Sequence, residues 1–196
     1  METATKIIKV LLKDYAIKPT VTSIAKEMDM SRVGIWKNLK RLADKNIIIL
    51  TPIGEGKTSI QSISLNWENP IVEKTLSLAL TEDALKHQRW LSNFSELNGK
   101  VDFLIIYGSI LHSPKEANDI DIMMVTTKNK FIEVEESIRK IQKTQGKKIH
   151  AMHLTPTECK IELEKPNQVF IDAVKKGIIL FGQEKFIKFL SGVRRT

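Results

Sequence analysis

Two short groups of residues, Gly108-Ser109 and Asp119-Ile120-Asp121, have the types and spacing needed to bind and activate a phosphate. The first closes an apolar run at residues 101–107. Nine residues later the second opens another apolar run, at 120–125. Short apolar runs bounded by turn residues read as buried strands. Side chains in a strand alternate between faces, so Asp119 and Asp121 project together and can grip a hard divalent cation through oxygens. Gly108 lets backbone approach a phosphate closely, and the hydroxyl and amide of Ser109 can hydrogen-bond it. A Gly-Ser cradle opposite a carboxylate pair is what metal-assisted nucleotidyl transfer requires, with the cation bridging the triphosphate and lowering the charge on the attacking and leaving oxygens. Taken alone, Asp119 and Asp121 would read as a solvated strand end, because carboxylates sit mostly on surfaces.

The flanking pattern supplies elements to hold these residues. A helix is expected over 131–144, a strand over 148–154, helical segments beginning at Thr155-Pro156, a short strand over 178–181 and a C-terminal helix. This alternation predicts an α/β domain at 98–196, with a mixed sheet covered by helices. Before it, residues 71–97 are helical, with Ile71, Leu76, Leu80, Leu91 and Phe94 among the apolar positions, as one long helix or two meeting near Thr81. Asn98-Gly99 stops this connector, 67–97, and Asn66-Trp67-Glu68-Asn69-Pro70 marks the boundary ahead of it.

Residues 1–66 read differently. Ile7, Ile8, Leu11 and Leu12 form a helical stripe within 5–14. A second short helix, 21–28, has Thr22 or Ser23 placed to cap it and Ile24, Ala25 and Met28 on one side. Asp29-Met30-Ser31 breaks the chain, and Ser31 can cap a third helix reaching about Asp44, with Ile35, Leu39 and Leu42 inward. Two β-prone runs, 47–51 and 58–65, flank a turn at 54–57. Arg32, Lys37, Lys40 and Arg41 fall off the inward stripe. They could be an ordinary solvated face or contacts to phosphate and guanine edges in a major groove. Ser31, Arg32 and Asn38 are the candidate base readers, and Lys57 at the hairpin tip would touch backbone phosphate. Trp36 lies beside the stripe, placed for packing or for a dimer contact.

Over 5–66, the stretch "TVTSIAKEMDMSRVGIWKNLKRLADKNIIIL" closely resembles bacterial and archaeal winged helix-turn-helix regulators, three helices followed by a β-wing. That resemblance implies binding to double-stranded DNA, in the palindrome-reading homodimers such regulators form. Over about 98–190, "FLIIYGSILHSPKEANDIDIMMV" resembles the DNA polymerase beta-type nucleotidyltransferase superfamily and its minimal members in particular. The tail "KKIHAMHLTPTECKIELEKPNQVFIDAVKKGIILFG" is similar to the distal half of archaeal minimal members. This second resemblance implies transfer of a nucleoside monophosphate from an NTP to a hydroxyl, dependent on Mg2+ or Mn2+. Gly108 and Ser109 would hold phosphate, and Asp119 and Asp121 the metal. Active members carry a third carboxylate on a later strand, whereas residues 147–154 contain no Asp or Glu. Lys148, or His150 on the same face, stands at the matching position, and His150 could serve as base or as ligand. Minimal members also tend to carry a basic residue soon after Gly-Ser, where this chain has Ile110-Leu111-His112. Two further readings follow: a transcription regulator whose transferase-like domain senses a ligand or dimerises without chemistry, and an antitoxin-like protein that nucleotidylates a partner protein.

Composition sets outer limits. The 196 residues allow one large domain or two small ones, at roughly 150 residues per domain. At 42% hydrophobic and 28% charged, the chain is neither disordered nor fibrous. No apolar run approaches the ~20 residues that span a bilayer, and the opening METATKIIKV lacks a signal-peptide pattern. The single cysteine, Cys159, cannot form an internal disulfide and reads as buried filler. A cytoplasmic protein with no membrane partner is therefore expected. The net charge of +8 favours polyanionic partners and is concentrated early, with 11 basic and 6 acidic side chains in residues 1–66. Of the histidines, His150 and His153 are three apart in a strand and should face opposite sides. His112 belongs to the phosphate-side loop, either as an ordinary loop residue or as a nucleotide contact.

Overall fold

Capping and apolar spacing set the first elements. The structure, a computed structural model, describes residues 2–14, 19–53, 60–165 and 167–193. It divides into two units, residues 1–79 with 190–196, and residues 80–189. In the first unit, helix α1 (Glu2–Lys13) buries the expected Ile7, Ile8, Leu11 and Leu12. Helix α2 (Val21–Glu27) starts one position before the expected caps. Thr20 takes an extended backbone, its hydroxyl accepts the Ser23 amide, and the Ser23 hydroxyl accepts the Thr20 amide. That reciprocal pair fixes Thr20 as the cap and places Ser23 inside the first turn. Ile24 and Ala25 are buried and Met28 is half-buried.

Asp29 makes the break with a left-handed φ of 49°, a conformation that Asp and Asn tolerate better than most side chains. Ser31 then caps helix α3 (Arg32–Asp44) by accepting the Gly34 amide at 3.1 Å. Ile35, Leu39 and Leu42 face inward from α3, as expected. Strands β1 (Ile48–Ile53) and β2 (Ile60–Leu65) pair antiparallel from Ile48 opposite Leu65 to Ile53 opposite Ile60. The expected turn at 54–57, Lys57 included, lies outside the described residues. The side-chain amides of Asn66 and Asn69 both donate to the Asn46 carbonyl, at 2.9 and 3.0 Å. Residues 71–97 form two helices, α4 (Pro70–Leu85) and α5 (Gln88–Asn93). They join at residues 86–87, beyond Thr81, because Thr81, Glu82 and Asp83 lack any glycine or proline to interrupt the first.

The second unit is built on strands β3 (Phe103–Tyr107), β4 (Asp119–Val125), β5 (Lys148–Leu154) and β6 (Ile178–Phe181), in spatial order β5-β4-β3-β6. Strand β4 runs parallel to β5, and the other pairings are antiparallel. Strands β5 and β6 are therefore the edges. The remaining helices are α6 (Phe131–Gln142), α7 (Pro156–Glu164), α8 (Gln168–Lys176) and α9 (Gln183–Val193). Among the described residues the chain is thus an α/β protein with nine helices, a mixed four-stranded sheet and a smaller two-stranded one. No helix among them is long and apolar enough to cross a membrane.

The two inner strands are apolar on both faces, as strands covered on both sides must be. Leu104, Ile106, Ile120 and Ile122 pack with Val134 and Ile138 of α6 in one buried cluster. On the other face Ile105 and Met123 are fully buried, and α8 packs against β3. Each such side chain contributes about 1.5–3 kcal/mol of burial free energy, which holds the strand ends, where the polar residues stand, in fixed register.

Candidate functional site

Strand β3 finishes, and β4 and β5 begin, at one end of the four-stranded sheet. Tyr107 stands opposite Asp121, Asp121 opposite His150, and Asp119 opposite Lys148. Residues opposite one another in paired strands share a face. These five accordingly belong to the face away from the α6 cluster. His150 Nδ1 lies 3.1 Å from Asp119 Oδ2 and 3.7 Å from Asp121 Oδ1. One ligand atom from each of Asp119, Asp121 and His150 falls within 4.8 Å of the other two. Of the two positions on β5 that could meet the carboxylates, it is His150 that does so. Its Nδ1 is the nitrogen that the two carboxylates share.

The electrostatics follow from this crowding. Burial and the neighbouring Asp119 carboxylate push the Asp121 carboxyl above its ordinary range, an effect that His150 partly offsets. The Tyr107 phenol is raised by burial and by the charges of Asp121 and Asp119. A site that concentrates negative charge in this way is stabilised by a cation.

Gly108 turns the chain immediately after β3 at φ 82° and ψ −165°, a region open essentially to glycine alone. A Cβ there would run into the Asp121 carboxylate. Ser109 opens a short 3-10 turn, Ser109–Leu111, and its carbonyl accepts the amides of His112 and Ser113 at 3.0 and 2.8 Å. The Ser109 residue is exposed. A cavity of about 330 Å3 opens beside the turn, lined by Tyr107, Gly108, His112, Asp172 and Lys176 among others. The loop ahead of Asp119 is tethered from β5's side, where Lys147 Nζ donates to the carbonyls of Ala117 and Lys115. Gln142, at the end of α6, bonds the Lys147 carbonyl and the Ile149 amide and so fixes where β5 begins.

The sequence reading missed Tyr107 and Lys147. Tyr107 had a signal, since an antiparallel hairpin must bring the last residue of one strand beside the start of the next. Lys147 had none, because its partners are backbone carbonyls in a loop.

The other histidine of β5, His153, faces the opposite side, as expected. It lies 3.8 Å from Glu135 and edge-on to Phe131, and burial pulls its imidazole below the usual value despite Glu135. Cys159 is buried and its thiol is pushed up to about 12 by burial, which fits filler and not a nucleophile.

On α3, Arg32, Lys37, Lys40 and Arg41 are all exposed. Lys40 Nζ sits 5.5 Å from the centre of the Trp36 ring. Ser31 uses its hydroxyl on the Gly34 amide, and Asn38 donates its side-chain amide to the Gly34 carbonyl at 2.9 Å. No protein family, curated protein or solved structure matches the chain.

Proposed function

We propose that residues 80–189 bind a nucleoside triphosphate together with a divalent cation, in a nucleotidyltransferase-type site directed at a hydroxyl acceptor. One observation carries this reading: Asp119, Asp121 and His150 converge within 4.8 Å beside the glycine-only turn of Gly108. The donor set fits a cation, because two carboxylates and an imidazole are metal ligands and the crowding of Asp121 by Asp119 favours added positive charge. A bound cation would screen the triphosphate and polarise the phosphoryl group under attack. The chain's own tasks follow from placement. Asp119 and Asp121 hold the cation at the strand end, Gly108 keeps side-chain bulk away from the phosphate, and Ser109 offers it a hydroxyl. The cavity lined by Tyr107, His112 and Lys176 leaves room for the rest of the nucleotide.

For the first unit we propose double-stranded DNA as the partner, supported by the exposed Arg32, Lys37 and Arg41 on a capped helix. A second reading, a regulator that senses nucleotide without transferring it, is favoured by the imidazole standing on β5 where transferases supply a carboxylate.

Titration calorimetry of each NTP, with and without Mg2+ or Mn2+, tests the site. Wild type is expected to bind at least one NTP only with the cation, and Asp119→Asn/Asp121→Asn to weaken that binding by at least about tenfold. Unchanged binding in the double variant, or no binding of any NTP by wild type, would overturn the assignment.

A further inference from the structure

Nucleotide-handling sites made of carboxylates alone suit Mg2+, which prefers oxygen donors in near-ideal octahedral geometry and gives up its waters reluctantly. This site is not made of carboxylates alone. The β4–β5 register sets His150 beside Asp121, and Nδ1 reaches both carboxylates, at 3.1 and 3.7 Å. Lys148, the other residue of that face at this end of β5, stands opposite Asp119 and offers hydrogen-bond donors but no acceptor. The third donor at this strand end is therefore nitrogen.

We infer that His150 is a metal ligand and that the site takes a borderline first-row divalent cation, of the Mn2+, Co2+ or Zn2+ type, in preference to Mg2+. Imidazole nitrogen binds such ions through partly covalent bonds that Mg2+ does not form, and affinity for a mixed nitrogen and oxygen site rises along the first-row series. The two carboxylates keep the site open to Mn2+, which accepts both donor types. The geometry is fixed by the sheet, because His150 and Asp121 sit opposite one another on parallel strands whose start is clamped by Gln142 and Lys147. This inference rests on the proposed cation site and adds to it the identity of the third ligand and the class of ion.

The test uses the whole chain stripped of metal, without nucleotide, at mildly alkaline pH. Mn2+ binding is followed by loss of the free-ion paramagnetic signal, and Mg2+ by competition against it. Pulsed paramagnetic resonance of the bound Mn2+ reports directly whether a nitrogen is coordinated. Wild type is expected to show nitrogen coupling and to bind Mn2+ at least about tenfold more tightly than Mg2+. His150→Gln should lose the coupling and weaken Mn2+ by about ten- to a hundredfold. His150→Asp should lose the coupling and shift the Mn2+ to Mg2+ preference toward Mg2+ by about tenfold.

Bound Mn2+ without nitrogen coupling in wild type overturns the inference, and this readout needs no variant to fold. Coupling that persists in His150→Gln, or an unchanged preference in His150→Asp, overturns it as well. Nitrogen-ligated Mn2+ in a chain that takes no NTP would sink the nucleotide reading and leave this one standing. Mg2+-dependent NTP binding with no nitrogen coupling would do the reverse. A chain that binds none of these cations overturns this inference, and the nucleotide reading is then decided by NTP titration with the cation present.

Discussion

Gly108 shows how one residue type can define a site. Its φ of 82° with ψ −165° is closed to side chains, and its missing Cβ leaves the space that the Asp121 carboxylate fills. Gly108→Ala therefore meets two penalties at once, backbone strain of about 1–3 kcal/mol and displacement of a proposed ligand. The variant is expected to fold with lowered thermal stability and to lose cation-dependent NTP binding by about tenfold or more. Gly146→Ala, where an added Cβ meets nothing within 4 Å, should change neither. Equal NTP binding in wild type and Gly108→Ala would remove the turn from the phosphate site. Tyr107 makes the complementary point. Its phenol is raised by burial first and then by the same carboxylates, so part of that shift reports the charge that a cation would relieve.

At the scale of elements, most of what was legible in the sequence followed from apolar spacing. The stripe of α1, the inward face of α3 and the span of β5 were all readable because burial imposes periods of 3.6 and 2 on the chain. Boundaries are less legible where they depend on reciprocal hydrogen bonds. Thr20 and not Thr22 caps α2, a choice set by the partner hydroxyl of Ser23. The join between α4 and α5 carries no glycine or proline to announce it. The candidate site was readable in its halves: Gly108-Ser109 and Asp119-Ile120-Asp121 stand out by type. Which residue of β5 meets them depends on strand register, and that is a property of the packed sheet. For α3, Arg32→Ala/Lys37→Ala/Arg41→Ala removes only exposed cations and leaves the buried face intact. Measured by fluorescence anisotropy over a salt series, its affinity for duplex DNA should fall, and the slope of log K against log salt should shrink by about one for each phosphate no longer neutralised. An unchanged slope would count against a groove-facing α3.

Over the whole molecule, a basic N-terminal third is joined to a unit whose proposed site gathers negative charge. Residues 1–66 carry 11 basic against 6 acidic side chains, while Asp119 and Asp121 crowd one sheet end. The first unit thus suits a polyanion, and the proposed site of the second suits a cation that brings an anion with it. The second unit's sheet leaves β5 unpaired along one side, and edge strands are the natural place for a sheet to fray. The proposed ligands lie across that seam, two on β4 and one on β5. Ion binding would then rivet the hem of the sheet. At a cation concentration of 100 times Kd, linkage adds about 2.7 kcal/mol to any opening that separates the ligands. Amide hydrogen exchange at His150 and Met152, which alternate with the Ile149 amide held by Gln142 and so turn toward β4, should accordingly slow by up to about a hundredfold when Mn2+ is added, with little change at Ile179 on the far edge. Equal slowing at both edges, or none, would mean that the ion does not bridge the two strands. If the rivet holds, ligand supply and mechanical integrity share one set of side chains, and without the metal this edge would open about a hundred times more often than with it.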